Sequence, residues 1–184
     1  MRIISGKYKG RSLDSPTEDT VRPPLTRFRG AIFDTLMPFL SRGAYLDFFG
    51  GSGSFSFEAL SRGALRATVV ELNPKTASLI QRNADKLKIK EPLTLLRGDS
   101  LKWLPKLAKK GENFAVIAVA PPYHQDLENA MLALLDEFHS LLQDDGIIFL
   151  QHPTNEKIKL EWDHLDHWKT RKYGYTSISY FFLK

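Results

Sequence analysis

The sequence predicts an α/β protein built around a largely parallel sheet. From Ala44 onward, apolar runs alternate with helical patterns, the signature of βαβ units. The run FAVIAVA (114–120) is apolar throughout, as expected of an interior strand buried on both faces. The segment LDFFGGSGSFSFEAL places a glycine turn between a strand and a helix, where α/β sheets bring backbone close to a ligand.

The elements follow in order. MRIISGKYKGRSL alternates loosely around Gly6 and reads as a β-hairpin. Residues 14–26 are rich in proline and polar residues and read as a loop, and Phe28 to Leu40 as a helix leading into the first strand. Strands are expected at 44–49, 67–72, 93–98, 114–120, 147–151 and 178–183, with helices at 54–62, 74–88, 100–110 and 127–142. Asn73 before Pro74, and Asp99 before Ser100, are helix-start signals. Pro105 argues for a kink in its helix or a short first piece. The aromatic-rich stretch from Trp162 to Lys184 is expected to close the sheet as a hairpin turning near Gly174.

Composition narrows the function. A chain of 184 residues fits one domain of ordinary size, and 42% hydrophobic with 26% charged residues is a globular balance. With no cysteine there is no disulfide framework, thiolate metal site or cysteine nucleophile. The longest apolar run, Phe114 to Pro122, falls well short of the ~20 residues of a membrane helix. The charged N-terminus lacks the apolar core of a secretory signal, so a soluble cytoplasmic protein is expected. The net charge is +5, and residues 1–30 alone carry seven Lys and Arg against three Asp and Glu. That basic segment, with Tyr8 interleaved, reads either as a nucleic-acid footprint or as a solvated face.

Four segments carry the chemistry. The turn of Gly50, Gly51 and Gly53 after Asp47 suits close approach of a cofactor, although Ser56 stands where a dinucleotide fingerprint has its third glycine. Glu71 ends the next strand, 20 residues after Gly51, where a carboxylate can accept from both hydroxyls of a ribose. Asp99 is placed to accept from an adenine amino group, to cap the following helix, or both. Pro121-Pro122-Tyr123 closes the FAVIAVA strand as a rigid, aromatic-bearing loop in the crevice where open α/β sheets bind ligands.

The Pro-Pro-Tyr loop, the DFFGGSGS turn and Glu71 together resemble class I S-adenosylmethionine-dependent methyltransferases acting on exocyclic amines. RIISGKYKGRSL, RPPLTRFRGAIFDTL, LDFFGGSGSFSFEALSRGA and KYGYTSISYFF resemble, in that order, the bacterial small-subunit ribosomal RNA guanine-N2 methyltransferases. The resemblance covers nearly the whole chain. It implies a Rossmann-like class I methyltransferase fold with a seven-stranded, mostly parallel sheet, helices on both faces and a small N-terminal β-hairpin. Residues 1–40 would form the basic hairpin and lead-in helix, and 41–184 the methyltransferase domain.

The same resemblance implies that Asp47, Gly50, Gly51, Ser52, Gly53, Glu71, Leu72, Asp99 and Ser100 hold S-adenosylmethionine. Ala120, Pro121, Pro122 and Tyr123 would form the catalytic loop, with Tyr123 stacked on the base and the Pro121 carbonyl accepting from its amino group. Lys7, Lys9, Arg11, Arg22, Arg27 and Arg29 would grip RNA, the partner being ribosomal RNA or the small ribosomal subunit. A monomer without metal or membrane attachment is implied.

One departure stands out. The family has Asp or Asn before the two prolines, and this chain has Ala120. Losing one positioned hydrogen bond in a transition state costs about 3 kcal/mol by analogy with oxyanion holes. Either Asp126, Gln125 or His124 substitutes, or the chain is a weakened homologue acting as an RNA-binding or ribosome-assembly factor. A nicotinamide oxidoreductase and a DNA amine methyltransferase are further rivals. Trp103, Trp162 and Trp168 read as core or hairpin packing, and Asp34, Asp136 and Glu137 as helix surface charges.

Overall fold

The computed structural model describes residues 1–15, 26–123 and 126–184, with only the backbone of Thr26 and Arg27. Helix α1 (Thr26–Leu40) leads into β1 (Ala44–Asp47). There follow α2 (Ser54–Ser61), β2 (Arg66–Glu71), α3 (Pro74–Leu87), β3 (Leu93–Arg97), α4 (Ser100–Lys109), β4 (Phe114–Val119) and α5 (Leu127–Glu137). After a 3₁₀ turn at His139–Leu141 come β5 (Leu142–Pro153), β6 (Leu165–Tyr173) and β7 (Thr176–Leu183).

Among the described residues, the seven strands form one sheet in the order β3-β2-β1-β4-β5-β7-β6. Strands β1 to β5 pair in parallel and β7 inserts antiparallel between β5 and β6. The order reverses between β1 and β4, so their carboxyl ends flank the crevice where such sheets bind ligands. Every residue of β4 is buried, as its unbroken apolar sequence requires.

Helices cover both faces. Phe28, Ile32, Phe33 and Leu36 of α1 pack with Phe55 of α2 onto Tyr45, Phe149 and Tyr180. Leu104 and Leu107 of α4 pack with Met131, Leu132 and Leu135 of α5 onto Leu46, Ile117 and Ile148. At the β3 end of the sheet, Ile80 and Leu87 of α3 join Ile3, Tyr8 and Leu13 of the N-terminal segment.

The two start signals act as expected. Asn73 Oδ1 accepts from Lys75 N–H at 2.9 Å, with Pro74 in the first turn, and Asp99 Oδ1 accepts from Leu101 N–H at 2.9 Å. Helix α4 runs through Pro105 without a break, and α5 ends at Glu137 rather than 142 because β5 begins already at Leu142. The N-terminal hairpin is short, with one registered bridge, Arg2↔Ser12. Ile3, Gly10 and Leu13 N–H also donate across the hairpin, while Ile4 and Ser5 N–H turn toward α2 and reach Glu58 at 2.8 and 3.0 Å. Among the described residues, no helix is long and apolar enough to cross a membrane.

Candidate active site

The glycine turn is fixed from below and open above. Gly50 N–H donates to the Val70 carbonyl at 3.0 Å, and a Cβ on Gly50 would lie 2.5 Å from Val69 Cγ1, so a larger residue would push the turn off β2. Gly51 has φ +53°, and a Cβ there would meet nothing nearer than the Phe49 carbonyl at 4.0 Å. That side of the turn is free space, the cradle a cofactor would fill. Gly53, at φ +79°, is the N-cap of α2 and leaves that helix end without a side-chain cap. Ser52 is buried, and its carbonyl accepts from Asn83 Nδ2 at 3.0 Å.

Asp47 is fully buried beneath this turn. Ser56 Oγ donates to its Oδ2 at 2.8 Å and Phe49 N–H to its Oδ1 at 3.2 Å. Burial pushes its pKa up to about 6; these two bonds oppose the rise and the Glu71 charge adds to it. Ser56, the departure from the dinucleotide fingerprint, is therefore the residue that positions Asp47.

Glu71 joins three strand ends. Its Oε2 accepts from Gly51 N–H and its Oε1 from Asn73 N–H, both at 2.8 Å, while its carbonyl accepts from Gly98 N–H at 3.0 Å. A carboxylate offers about four lone-pair sites, so two remain for ribose hydroxyls. Next to it Leu72 is 69% exposed, an apolar surface at the mouth of the site. Asp99 spends Oδ1 on the cap of α4, and Ser100 is buried with Oγ donating to the Phe48 carbonyl, tying α4 to the end of β1.

The proline loop lies on the other side of the crevice. Asp47 registers with Ala118, so Ala120 and Pro121 leave β4 beside the glycine turn. Ala120 is half-buried against the α1 side of the core, Pro121 is buried and Pro122 exposed. The half-buried Tyr123 ring is held by its hydroxyl, 2.6 Å from Thr176 Oγ1 at the start of β7. Beyond the Val119↔Leu150 pair stands Gln151, whose buried Oε1 has no hydrogen-bond partner among the described residues. His124 and Gln125 lie outside the described residues; Asp126 is exposed, with φ +52°.

The N-terminal basic residues separate into different roles. Arg29 is 0% exposed; its Nη2 donates to the Arg2 carbonyl and its Nε lies 3.8 Å from Glu58 Oε2. It is a structural cation rather than a phosphate contact, a correction to the sequence expectation. Tyr8 is also buried and cannot stack on a base; its hydroxyl donates to Glu91 at 2.5 Å. Lys7 pairs with Glu91 at 2.5 Å, and Arg11 donates to the Leu87 carbonyl with its guanidinium over the Tyr8 ring. Lys9 is exposed. Arg22 and the Arg27 side chain lie outside the described residues.

Sequence reasoning missed the group that seats this segment. Buried Glu58 receives Ile4 and Ser5 N–H and the Arg62 Nε at 2.8 Å, while Ser61 Oγ accepts from Tyr8 N–H at 2.9 Å. The GKYKGR and SRGA segments are thus two halves of one contact. Asp136, expected on the surface, is 9% exposed and accepts from His164 and Leu165 N–H at 2.8 and 3.0 Å, fixing the entry to β6. Trp168 packs across the β6–β7 hairpin on Tyr180 and Phe182, as expected, and is 47% exposed.

This strand order, with a glycine turn and an acidic strand end at the switch point, defines a class I methyltransferase fold. A family model described as "Conserved hypothetical protein 95" matches residues 1–182, and the chain belongs to that family. It is 33% identical over 181 residues to "Putative rRNA methyltransferase YlbH" of Bacillus subtilis, covering 97% of each chain. It is 34% identical over 152 residues to "Ribosomal RNA small subunit methyltransferase D" of Haemophilus influenzae, covering 82% of this chain and 78% of that one. Among solved structures, a hypothetical protein of Thermus thermophilus superposes with a TM-score of 0.83 at 29% identity, covering 98% of both chains.

Proposed function

We propose that this protein transfers a methyl group from S-adenosylmethionine to the N2 amino group of a guanine in small-subunit ribosomal RNA, acting as a cytoplasmic monomer on that RNA or its particle. The observation that carries this reading is the clamp of Gly51 by Glu71 directly across the switch point from the Tyr123 loop. It supports a carboxylate for the ribose and an aromatic ring for the base at the carboxyl ends of neighbouring strands. The names of the relatives supply the RNA.

The residues present fit the cofactor. The open side of Gly51 gives it room, the free lone pairs of Glu71 suit its ribose, Leu72 offers an apolar flank, Asp99 supplies a further acceptor, and buried Asp47 braces the turn from beneath through Ser56 and Phe49. When bound, the cofactor supplies an electrophilic methyl on sulfonium sulfur. The protein's own work is alignment, which can account for several kcal/mol without a covalent intermediate. Tyr123 stacks on the base, worth about 1–3 kcal/mol. The Pro121 carbonyl accepts one N–H of the amine and turns the nitrogen toward the methyl. Once methylated, the amine would carry a surplus proton, which the open loop would let pass to water.

Ala120 favours a second reading, a weakened enzyme acting as an RNA-binding or assembly factor, because its side chain offers the amine no acceptor. Nucleoside mass spectrometry of undermethylated small-subunit RNA incubated with protein and cofactor decides between them. N2-methylguanosine is expected. Its absence despite tight RNA binding supports the assembly factor, and methylation of another base would exclude the guanine assignment.

A further inference from the structure

The cations nearest the N-terminus are largely committed to acidic and carbonyl partners, whereas on the edge strand β6 only Lys169 is engaged among the described residues, over the Trp168 and Tyr180 rings. Lys169, Arg171 and Lys172 form no ion pair among the described residues, and the segment from Leu165 to Thr176 holds one carboxylate, Asp166. Arg171 registers with Ile178 and Lys172 with Ser177, so the two exposed cations project from opposite faces of the edge. Aromatic rings alternate with them. Trp168 is 47% exposed under the Lys169 ammonium, 3.2 Å from the ring centroid, and Tyr175 at the β6–β7 turn is 89% exposed. Burial, and to a lesser degree the charge of Arg171, pulls the Lys169 pKa down.

This edge is continuous with the catalytic loop. Thr176, which holds the Tyr123 hydroxyl, registers with Tyr173 on β6 and with Pro153 on β5. Lys172 and Tyr175 are therefore immediate neighbours of the residue that braces the base platform. We propose that Lys169, Arg171, Lys172 and Tyr175, with Trp168 packed beneath the Lys169 ammonium, form an RNA-docking surface that grips the strand flanking the target base, cations on phosphates and the Tyr175 ring on an unstacked base. This rests on the RNA substrate proposed above. The competing account is that lysine on an edge strand only blocks edge-to-edge association.

The test is the double variant Arg171→Glu/Lys172→Glu, measured by fluorescence anisotropy against a labelled small-subunit ribosomal RNA transcript over a salt series. RNA affinity is expected to fall at least tenfold and the logarithmic salt slope by about two, one for each phosphate no longer neutralised. Titration with S-adenosylhomocysteine should be unchanged, which also reports an intact fold. Tyr175→Ala, at a fully projecting side chain, should weaken RNA severalfold with no change of slope. Unaltered RNA affinity and slope in the double variant, with or without self-association, would overturn the proposal while leaving the enzyme reading intact. Failure of the unaltered protein to bind the transcript would overturn both.

Discussion

The Glu71 carboxylate holds Gly51 N–H at 2.8 Å, so the group proposed to bind ribose also shapes the turn that would receive the methionine part of the cofactor. Glu71→Ala should remove both functions, and cofactor affinity in isothermal calorimetry should drop tenfold or more. Glu71→Gln keeps one acceptor oxygen and should lose less. Equal affinity in Glu71→Ala and the unaltered protein would take Glu71 out of the site.

Tyr123 has two separable parts, a ring and an anchored hydroxyl. Tyr123→Phe breaks the 2.6 Å bond to Thr176 yet keeps the stacking surface, so a severalfold loss of transfer rate is expected. Tyr123→Ala also removes the stacking, worth about 1–3 kcal/mol, and should cost roughly tenfold to a hundredfold. Steady-state kinetics on small-subunit RNA separate the two; equal losses would mean the ring does not touch the base.

Asp47 predicts a pH dependence of stability. Its folded pKa is about 6 against an ordinary 3.8, so the folded state binds the proton more tightly. The associated stability is fully present below about pH 4 and lost as pH rises through about 6, up to about 3 kcal/mol. Urea denaturation of the unaltered protein and of Asp47→Asn across this range should diverge with rising pH. Parallel curves would contradict the assigned burial cost.

At Gly6, φ is +82° and a Cβ would fall 1.8 Å from the Ser61 carbonyl oxygen. Gly6→Ala should lift the N-terminal segment from α2 and cost about 2 kcal/mol or more. Hydrogen exchange should show lost protection at the Ile4, Ser5, Lys7 and Tyr8 amides, which donate to Glu58 and Ser61 in the unaltered protein. Retained protection at all four would show that the segment docks by other contacts.

The parts of the molecule governed by local rules were legible in the sequence. Strand periodicity placed the sheet, the Asn73-Pro74 and Asp99-Ser100 pairs placed two helix starts, and Gly174 marked the last turn. Glu71 could be singled out by its spacing from Gly51, but not as a ligand of that glycine, because the bond crosses from one strand end to another. Arg29 could not be distinguished from a phosphate-binding arginine, since its burial depends on Glu58, far away along the chain. Asp136 likewise acquires its role from the backbone of His164 and Leu165. The exposure of Trp168 follows from β6 being an edge strand, a fact of sheet order rather than of local pattern.

Single-turnover transfer of a tritiated methyl group to undermethylated small ribosomal subunits, with the unaltered protein beside Ala120→Asp and Glu71→Ala, tests the central claim most directly. Incorporation at one guanine is predicted for the unaltered protein, with a rise in Ala120→Asp, which restores a side-chain acceptor, and a collapse in Glu71→Ala. No incorporation by either the unaltered protein or Ala120→Asp, with cofactor and RNA both saturating, would contradict the account.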